Sequence, residues 1–195
     1  MIICDIETTG TNPRVHSIVS IGAIDLNNPS KQFYAECKPF SGAKIEDEAL
    51  AVNGYNREEL VNKPKNDEEI VKEFLEWRSD IEDQTFAALH PTFDTGFIQA
   101  TCERCGIEYP FAKRTIDLHT LVYAHMIRSG IEIPMRNHHS NIASDGIMQY
   151  VGIPAEPKPH IAINGAVWEA EAFSRIVFNR KLLPQFEQYP IPWIS

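Results

Sequence analysis

The sequence has 195 residues, 43% of them hydrophobic and 23% charged, which is typical of one soluble globular domain. Its formal net charge of −9 argues against a protein that coats duplex nucleic acid with its whole surface, because such surfaces are basic. No apolar run approaches the roughly 20 residues that span a bilayer, and the first residues lack a signal-peptide pattern. We therefore expect a cytoplasmic protein whose core forms without disulfides.

The first forty residues predict three β-strands joined by short turns. The first segment is an apolar run, and the next two alternate partly between apolar and polar residues. Asn27, Asn28 and Pro29 supply a turn between the second segment and the third. We expect an antiparallel meander of strands over residues 1–5, 15–26 and 32–37.

The rest of the chain alternates predicted helices with two short strands, over residues 84–90 and 114–117. Gly54, Gly106 and Gly152 each follow a helix-like segment, and glycine is favoured just after a helix ends. This order of elements predicts a mixed sheet with helices on its faces, which is an α/β fold. The predicted helices cover residues 47–53, 67–79, 95–105, 118–126, 142–150 and 161–180, with a loop over 127–139 and an irregular tail over 185–195.

Two carboxylates, those of Asp5 and Glu7, lie at the end of the first predicted strand. Because alternate residues of a strand point to the same face, the two side chains should project together. Carboxylates a few ångströms apart repel each other, so a proton, a basic partner or a metal cation must hold them. Hard oxygen ligands beside an open turn suit Mg²⁺ or Mn²⁺.

Two further candidate residues stand at the starts of predicted helices. Asp94 follows the strand over residues 84–90, at a position where Asp commonly serves as a helix N-cap. His160 precedes the last helix, where a histidine is either an ordinary first-turn residue or a general base, since histidine exchanges protons near neutral pH. Position alone leaves both alternatives open.

Two other groups invite a metal-site interpretation that the sequence disfavours. Cys102 and Cys105 form a lone C-x-x-C, but the other two cysteines lie far off in the sequence. The adjacent His138 and His139 fall in a polar stretch. We expect the thiols to be small, partly buried helix residues and the histidines to lie in a solvated loop.

These pieces, in this order, resemble the DEDD superfamily of 3′→5′ exonucleases. The likeness is to its histidine-bearing branch (DEDDh), which includes RNase T and the proofreading subunit of bacterial replicative DNA polymerase. The first motif, D-x-E-T-T-G, stands as DIETTG at residues 5–10, the second as HPTFD at residues 90–94, and the third begins with Pro159 and His160. The stretches IVSIGAI and TIDLHTL also resemble family segments, so the likeness extends from the first residues to about residue 178.

The resemblance implies a ribonuclease H-like fold, that is, a mixed five-stranded sheet flanked by helices. Residues 1–180 would form the exonuclease domain, and residues 181–195 a tail that packs on the same domain or extends it. The implied cofactors are two divalent cations, Mg²⁺ or Mn²⁺, and the implied products are nucleoside 5′-monophosphates.

The resemblance also implies roles for individual residues. Asp5 would bridge both cations, Glu7 would bind the one that holds the nucleophilic water, and Asp94 would serve the other. His160 would take the proton from that water. The backbone around Thr8, Thr9 and Gly10 would contact the terminal nucleotide.

The family's fourth acidic ligand lies five residues after the histidine, where this sequence has Gly165. A glycine inside a helix also costs about 0.5–1 kcal/mol relative to alanine. Three explanations stay open: a natural loss that weakens the nuclease, replacement by Glu169 one turn further on, or an introduced substitution. The alternative interpretation of Glu169 is an exposed helix carboxylate.

Two functions are therefore consistent with the sequence. The first is a metal-dependent 3′→5′ exonuclease on DNA or RNA ends, with activity reduced by Gly165 and with Mn²⁺ more effective than Mg²⁺. The second is a catalytically silent exonuclease-like module that binds nucleic acid or accompanies a polymerase. In either case the expected partner is a single-stranded 3′ end, with the loop that carries Arg128 and Arg136 as its candidate contact. A protein partner, either a polymerase or a second copy of the chain, is left open.

Overall fold

Seven β-strands form within residues 1–194, the part of the chain that the computed structural model describes. They are β1 (Ile2–Thr8), β2 (Ile18–Asp25), β3 (Asn28–Glu36), β4 (Phe86–Ala88), β5 (Ile116–Asp117), β6 (Met135–Arg136) and β7 (His139–Ser140). The first five form one sheet in the order β3-β2-β1-β4-β5. The β1-β2 and β2-β3 pairs are antiparallel, as a meander requires, whereas β1-β4 and β4-β5 are parallel. The implied mixed five-stranded sheet is confirmed.

Helices connect these strands and cover the sheet. Asn66 begins the third helix with a reciprocal capping box to Glu69. None of the helices within residues 1–194 is both long and apolar enough to cross a membrane. The helices are α1 (Asp47–Asn53), α2 (Arg57–Val61), α3 (Asp67–Arg78), α4 (Pro91–Cys105), α5 (Leu118–Arg128), α6 (Ser144–Val151) and α7 (Ala162–Phe178), followed by a 3₁₀ turn at Pro184–Phe186.

The prediction of a plain loop over residues 127–139 is wrong. Helix α5 continues to Arg128, and β6 and β7 then pair as an antiparallel hairpin. Asn137 and His138 both have positive φ, at 50° and 66°, which suits a tight two-residue hairpin turn. The short helix α2 was also not predicted, because its five residues are too few to show a helical period.

The two faces of the sheet have separate cores. Helices α5, α6 and α7 pack on one face, and α3 and α4 pack on the other. Along β1, Ile2, Cys4 and Ile6 belong to the core under α3 and α4, while Ile3 belongs to the core under α7. Asp5 and Glu7 share the parity of Ile3, so strand geometry directs them toward α7.

The start of α7 lies directly on the sheet at Gly22, which pairs with Asp5 in the β1-β2 register. A Cβ atom at Gly22 would lie 2.2 Å from the backbone carbonyl of Ala162. Only glycine permits this approach. The glycine therefore brings the N-terminal turn of α7 beside Asp5.

Candidate active site

Asp5 and Glu7 project from β1 into one cavity of about 210 Å³. His160, Gly165 and Glu169 line the same cavity. A β-bulge between Glu7 and Thr8 breaks the register with β2, and bulges often redirect a strand beside a functional site. The strand period and the packing of α7 thus bring together residues that are about 160 positions apart in the sequence.

Asp94 lies in the first turn of α4, and His90 takes the N-cap position. The interpretation of Asp94 as a simple helix cap is therefore wrong. Its side chain is only 4% exposed, and it lines a second cavity of about 520 Å³. This second cavity shares Asp5 and Glu169 with the first, so the three carboxylates surround adjoining spaces.

Glu169 is buried, with 5% of its surface exposed, and the interpretation as an exposed helix carboxylate is wrong. One of its oxygens, Oε2, accepts a hydrogen bond from the backbone N–H of Leu89 at 2.9 Å. Leu89 directly follows β4, whose end leads into Asp94. The hydrogen bond therefore joins α7 to the segment that carries the third predicted acidic residue.

Gly165 leaves a notch in α7 that the carboxylate of Asp5 fills. A Cβ atom at position 165 would lie 2.1 Å from Oδ2 of Asp5 and 2.7 Å from its Cγ. Contacts this short are far inside van der Waals distance, so any side chain there requires Asp5 to move. The space where a side chain at position 165 would start is occupied by the carboxylate of Asp5.

His160 is held by α1 and by the chain just ahead of α7. Its backbone N–H donates to the carbonyl of Val52 at 3.3 Å. Gly54 ends α1 with a φ of 71°, and a Cβ there would lie 2.4 Å from Cβ of Pro159. The helix end and the histidine segment can therefore meet only at a glycine.

Glu156, which the sequence did not mark as a site residue, contacts the imidazole of His160. The distance between Oε2 of Glu156 and Nδ1 of His160 is 2.8 Å, and Glu156 is only 7% exposed. A signal did exist, because Glu156 is the one acidic residue between Val151 and His160 in the sequence. Three residues of irregular backbone separate the pair, so no helical or strand periodicity linked them.

A third cavity, of about 320 Å³, adjoins the first at Ile6 and Glu7. Thr8 and Gly10 line it, together with the aromatic ring of Phe93. Its walls combine apolar and polar atoms, as small-molecule sites commonly do.

Thr9 lies behind this cavity instead of facing it. Its hydroxyl donates to the carbonyl of Lys44 at 2.6 Å and accepts from the N–H of Ser17 at 2.9 Å. The predicted substrate-contacting triplet thus divides into two cavity residues and one that braces the turn.

The side chains of these acidic residues resist ionisation. Loss of hydration, followed by the negative charges of Glu169 and Glu7, holds the pKa of Asp5 well above its usual range. Burial raises the pKa of Glu7 to about 7 and that of Asp94 to about 8. The pKa of Glu169 is also raised, by burial and then by the charge of Asp94. The charge of His160 lowers the pKa of Glu7, but burial outweighs it and the pKa stays raised.

No cationic side chain within residues 1–194 forms an ion pair with Asp5, Glu7, Asp94 or Glu169. In the same residues, no three His, Cys, Asp or Glu side chains are already arranged to hold an ion. The donor chemistry fits hard divalent cations, since all four groups offer carboxylate oxygens.

We expect the metal-free protein to become less stable as the pH rises from about 5 to 8. Carboxyl groups with raised folded-state pKa values contribute stability below their unfolded pKa, near 4, and lose it as the pH passes the folded values. For Glu7 and Asp94 these values are about 7 and about 8. The measurement is Tm in a chelator and in Mn²⁺ at pH 5, 6.5 and 8. Mn²⁺ should raise Tm most at pH 8, and an equal increase at every pH would contradict this expectation.

The remaining predicted features lie away from these cavities. Arg128, Arg136 and the two adjacent histidines are exposed at the end of α5 and on the β6-β7 hairpin. Cys102 is buried in α4 and Cys105 is half-buried at its end.

Comparison with known proteins gives the family. A family model described as Exonuclease matches residues 2–163. The chain belongs to this exonuclease family. The matched region contains the first two motifs and His160 and ends just before Gly165.

Two relatives carry the same name. Ribonuclease T of Shewanella baltica is 28% identical over 200 residues, which cover 93% of this exonuclease-family chain and 83% of the relative. Ribonuclease T of Vibrio parahaemolyticus is 27% identical over 164 residues, covering 71% of the chain and 77% of the relative.

Solved nuclease structures share the fold at low sequence identity. The nuclease domain of 3′hExo, a DEDDh family member bound to rAMP, has a TM-score of 0.69 at 16% identity and covers 93% of the chain and 94% of that domain. E. coli exonuclease I with a dA16 oligonucleotide has a TM-score of 0.71 at 16% identity, over 92% of the chain and 40% of that protein. The chain also spans 65% of cell-death related nuclease 4, at a TM-score of 0.71 and 16% identity. The predicted resemblance to the DEDD exonucleases is confirmed at the level of family and fold.

Proposed function

We propose that this chain is a divalent-metal-dependent 3′→5′ exonuclease that releases nucleoside 5′-monophosphates from DNA or RNA ends. The observation that carries the proposal is the grouping of Asp5, Glu7 and Asp94 around adjoining cavities that His160 also borders. The relatives named Ribonuclease T and the DEDDh structure bound to rAMP support a nucleic-acid substrate.

The carboxylates of Asp5, Glu7, Asp94 and Glu169 would hold two Mg²⁺ or Mn²⁺ ions. Glu169 would supply the carboxylate that Gly165 lacks, since it is buried on the same face of α7, one turn further along. When bound, such ions stabilise the charge on the attacking and leaving oxygens of a phosphodiester. The net charge of −9 is consistent with a site in which cations supply the positive charge.

Other residues of the chain would bind and orient the strand end. The 320 Å³ cavity would take the terminal nucleotide, with Phe93 offering a ring on which a base stacks. The hydrogen bond from the side-chain amide of Asn53 to the carbonyl of Thr8, at 3.1 Å, holds the cavity wall in place. His160 would accept the proton of the attacking water.

The test is nucleotide release from single-stranded DNA and RNA labelled at either end, with Mn²⁺ and with Mg²⁺. A 3′-label should appear at once as a mononucleotide, and a 5′-label should give a ladder of shortened strands. Asp94→Asn is the control and should abolish release. Release from the 5′ end instead would overturn the proposed polarity.

The second candidate, a silent module that binds strand ends, is favoured by Gly165. It would bind the labelled strands without shortening them in either metal. Calorimetric titration of Mn²⁺ distinguishes the two functions independently of activity, because a silent module should bind the ion very weakly. We expect measurable Mn²⁺ binding and turnover that is slower in Mg²⁺ than in Mn²⁺.

Two substitutions at position 165 should have different effects on metal binding. Gly165→Ala and Gly165→Asp introduce the same Cβ against Asp5, so both must displace its carboxylate. Only Asp adds a ligand. We therefore expect Gly165→Asp to bind Mn²⁺ about tenfold more tightly than Gly165→Ala and to release nucleotides faster than Gly165→Ala. Equal affinities in the two variants would show that position 165 has no access to the ion.

A further inference from the structure

The carboxylate of Glu156 is the closest charged group to the imidazole of His160. Its Oε2 lies 2.8 Å from Nδ1, and its Oε1 lies 3.4 Å from the backbone N–H of Ile161. The Glu156 side chain is 6% exposed and that of His160 is 25% exposed, so the contact is shielded while part of the ring still meets the cavity.

We propose that Glu156 is a positioning residue for His160, which rests on the proposed nuclease function. A carboxylate only accepts hydrogen bonds, so Nδ1 must carry the proton that joins the pair. The neutral imidazole then has its unshared electron pair on Nε2. Glu156 thereby fixes both the ring orientation and the nitrogen that takes the proton from water.

Among the carboxylates within residues 1–194, Glu156 is the one that hydrogen-bonds to the imidazole of His160, and this contact distinguishes it from the proposed metal ligands. Its Oε2 accepts from the imidazole, and its Oε1 accepts from the backbone N–H of Ile161. Burial raises the pKa of Glu7, the charge of His160 lowers it, and the negative charge of Glu156, which lines the same cavity, raises it. The carboxylate of Glu156 therefore disfavours ionisation of Glu7.

The substitution Glu156→Gln reverses the hydrogen bond with almost no change in shape. The N–H of Ile161 requires an acceptor, so it should select the amide oxygen and leave the NH₂ group facing Nδ1. Nδ1 then becomes the acceptor, and the proton moves to Nε2. Nε2, the nitrogen proposed to accept the proton from water, then already carries a proton and cannot accept another.

The test combines kinetics, metal binding and ¹⁵N NMR of His160 in Mn²⁺-free protein. We expect Glu156→Gln to lower kcat about 10- to 100-fold, with KM and Mn²⁺ affinity within about twofold of the unsubstituted protein. The ¹⁵N signals should change from the Nδ1–H to the Nε2–H tautomer. In a His160→Gln background the same substitution should have no further effect on kcat.

Two outcomes would overturn the proposal. A loss of Mn²⁺ affinity as large as the loss in kcat would make Glu156 a metal ligand, and an unchanged tautomer would remove the positioning role. The NMR signals test the pair even if the protein releases no nucleotides, so this failure differs from failure of the proposed function. If Glu156→Gln does not fold, Glu156→Asp, which retains the acceptor at shorter reach, should keep the Nδ1–H tautomer with an intermediate kcat.

Discussion

Asp5→Asn should abolish nucleotide release and, in the absence of metal, make the protein more stable. Asp5 borders both cavities proposed to bind metal, so its loss should remove several kcal/mol of transition-state stabilisation, roughly a 10³-fold fall in kcat/KM. The pKa of Asp5 is held well above its usual range by lost hydration and by Glu169 and Glu7. An amide of the same shape removes that unfavourable ionisation.

The sign of the stability change depends on pH and on metal. A carboxyl with a raised folded-state pKa lowers the free energy of unfolding more as the pH rises. The stability gained by Asp5→Asn should therefore be larger at pH 8 than at pH 5. Adding Mn²⁺ should reverse the order, because only the unsubstituted protein gains stability from the ion. Tm measured in chelator and in Mn²⁺ checks both statements.

The matched control is Glu108→Gln, which removes the charge of an exposed carboxylate outside the cavities. A destabilised Asp5→Asn variant in chelator would contradict the electrostatic account.

Arg175→Met should destabilise the fold by about 3–5 kcal/mol, because it leaves a buried charge without its partner. Arg175 and Glu171 are both 0% exposed, and Nε of the arginine donates to Oε1 of the glutamate at 2.7 Å. The other four guanidinium N–H groups reach main-chain carbonyls, at distances of 3.0 to 3.2 Å. These carbonyls belong to Val151, Phe186, Tyr189 and Pro190.

This ion pair fastens the C-terminal tail to α7. Oε2 of Glu171 accepts from the N–H groups of Leu182 and Leu183, both at 2.9 Å. Further along, Nε1 of Trp193 donates to Oδ1 of Asn179 at 2.8 Å. We therefore infer that the tail after residue 180 folds with the exonuclease domain, and that losing Arg175 releases it.

Thermal unfolding measures the effect of Arg175→Met as a fall in Tm of roughly 6–20 °C, at about 2–4 °C per kcal/mol. Adding Glu171→Gln to this variant should recover part of the loss, since it removes the unpaired charge and keeps an acceptor for the leucine N–H groups. Arg57→Met is the control. Arg57 pairs with Asp47 at the surface, so its loss should cost less than about 1 kcal/mol. If the two arginine variants unfold alike, the buried pair does not hold the tail.

Local patterns predicted much of the fold because they depend on near neighbours. The parity of β1 put Asp5 and Glu7 on one face, and the glycines at positions 54, 106 and 152 ended three helices. The hairpin of β6 and β7 escaped prediction because its strands have two residues each, too few for an alternation to appear. Its turn at Asn137 and His138 was visible only as a polar stretch.

The site was predictable where it repeats the family's motifs and unpredictable where it departs from them. Asp94 and His160 were found by resemblance. Glu169 could be assigned either to the cavity or to solvent from helical spacing alone, and the packing of α7 on the sheet decided the matter. Glu156 gave no pattern, since an irregular segment brings it to His160.

By itself, the sequence determined the α/β class, the family and the same-face pair of carboxylates, because backbone periodicity and short motifs are local properties. Only the tertiary structure decided which side chains surround Gly165. The close approach of α7 at Gly22 brings that notch against Asp5, buries Glu169 beside Leu89 and sets Glu156 against the imidazole. These contacts join residues on different elements, and their distances follow from how a helix packs on a sheet, which no local pattern in the chain records.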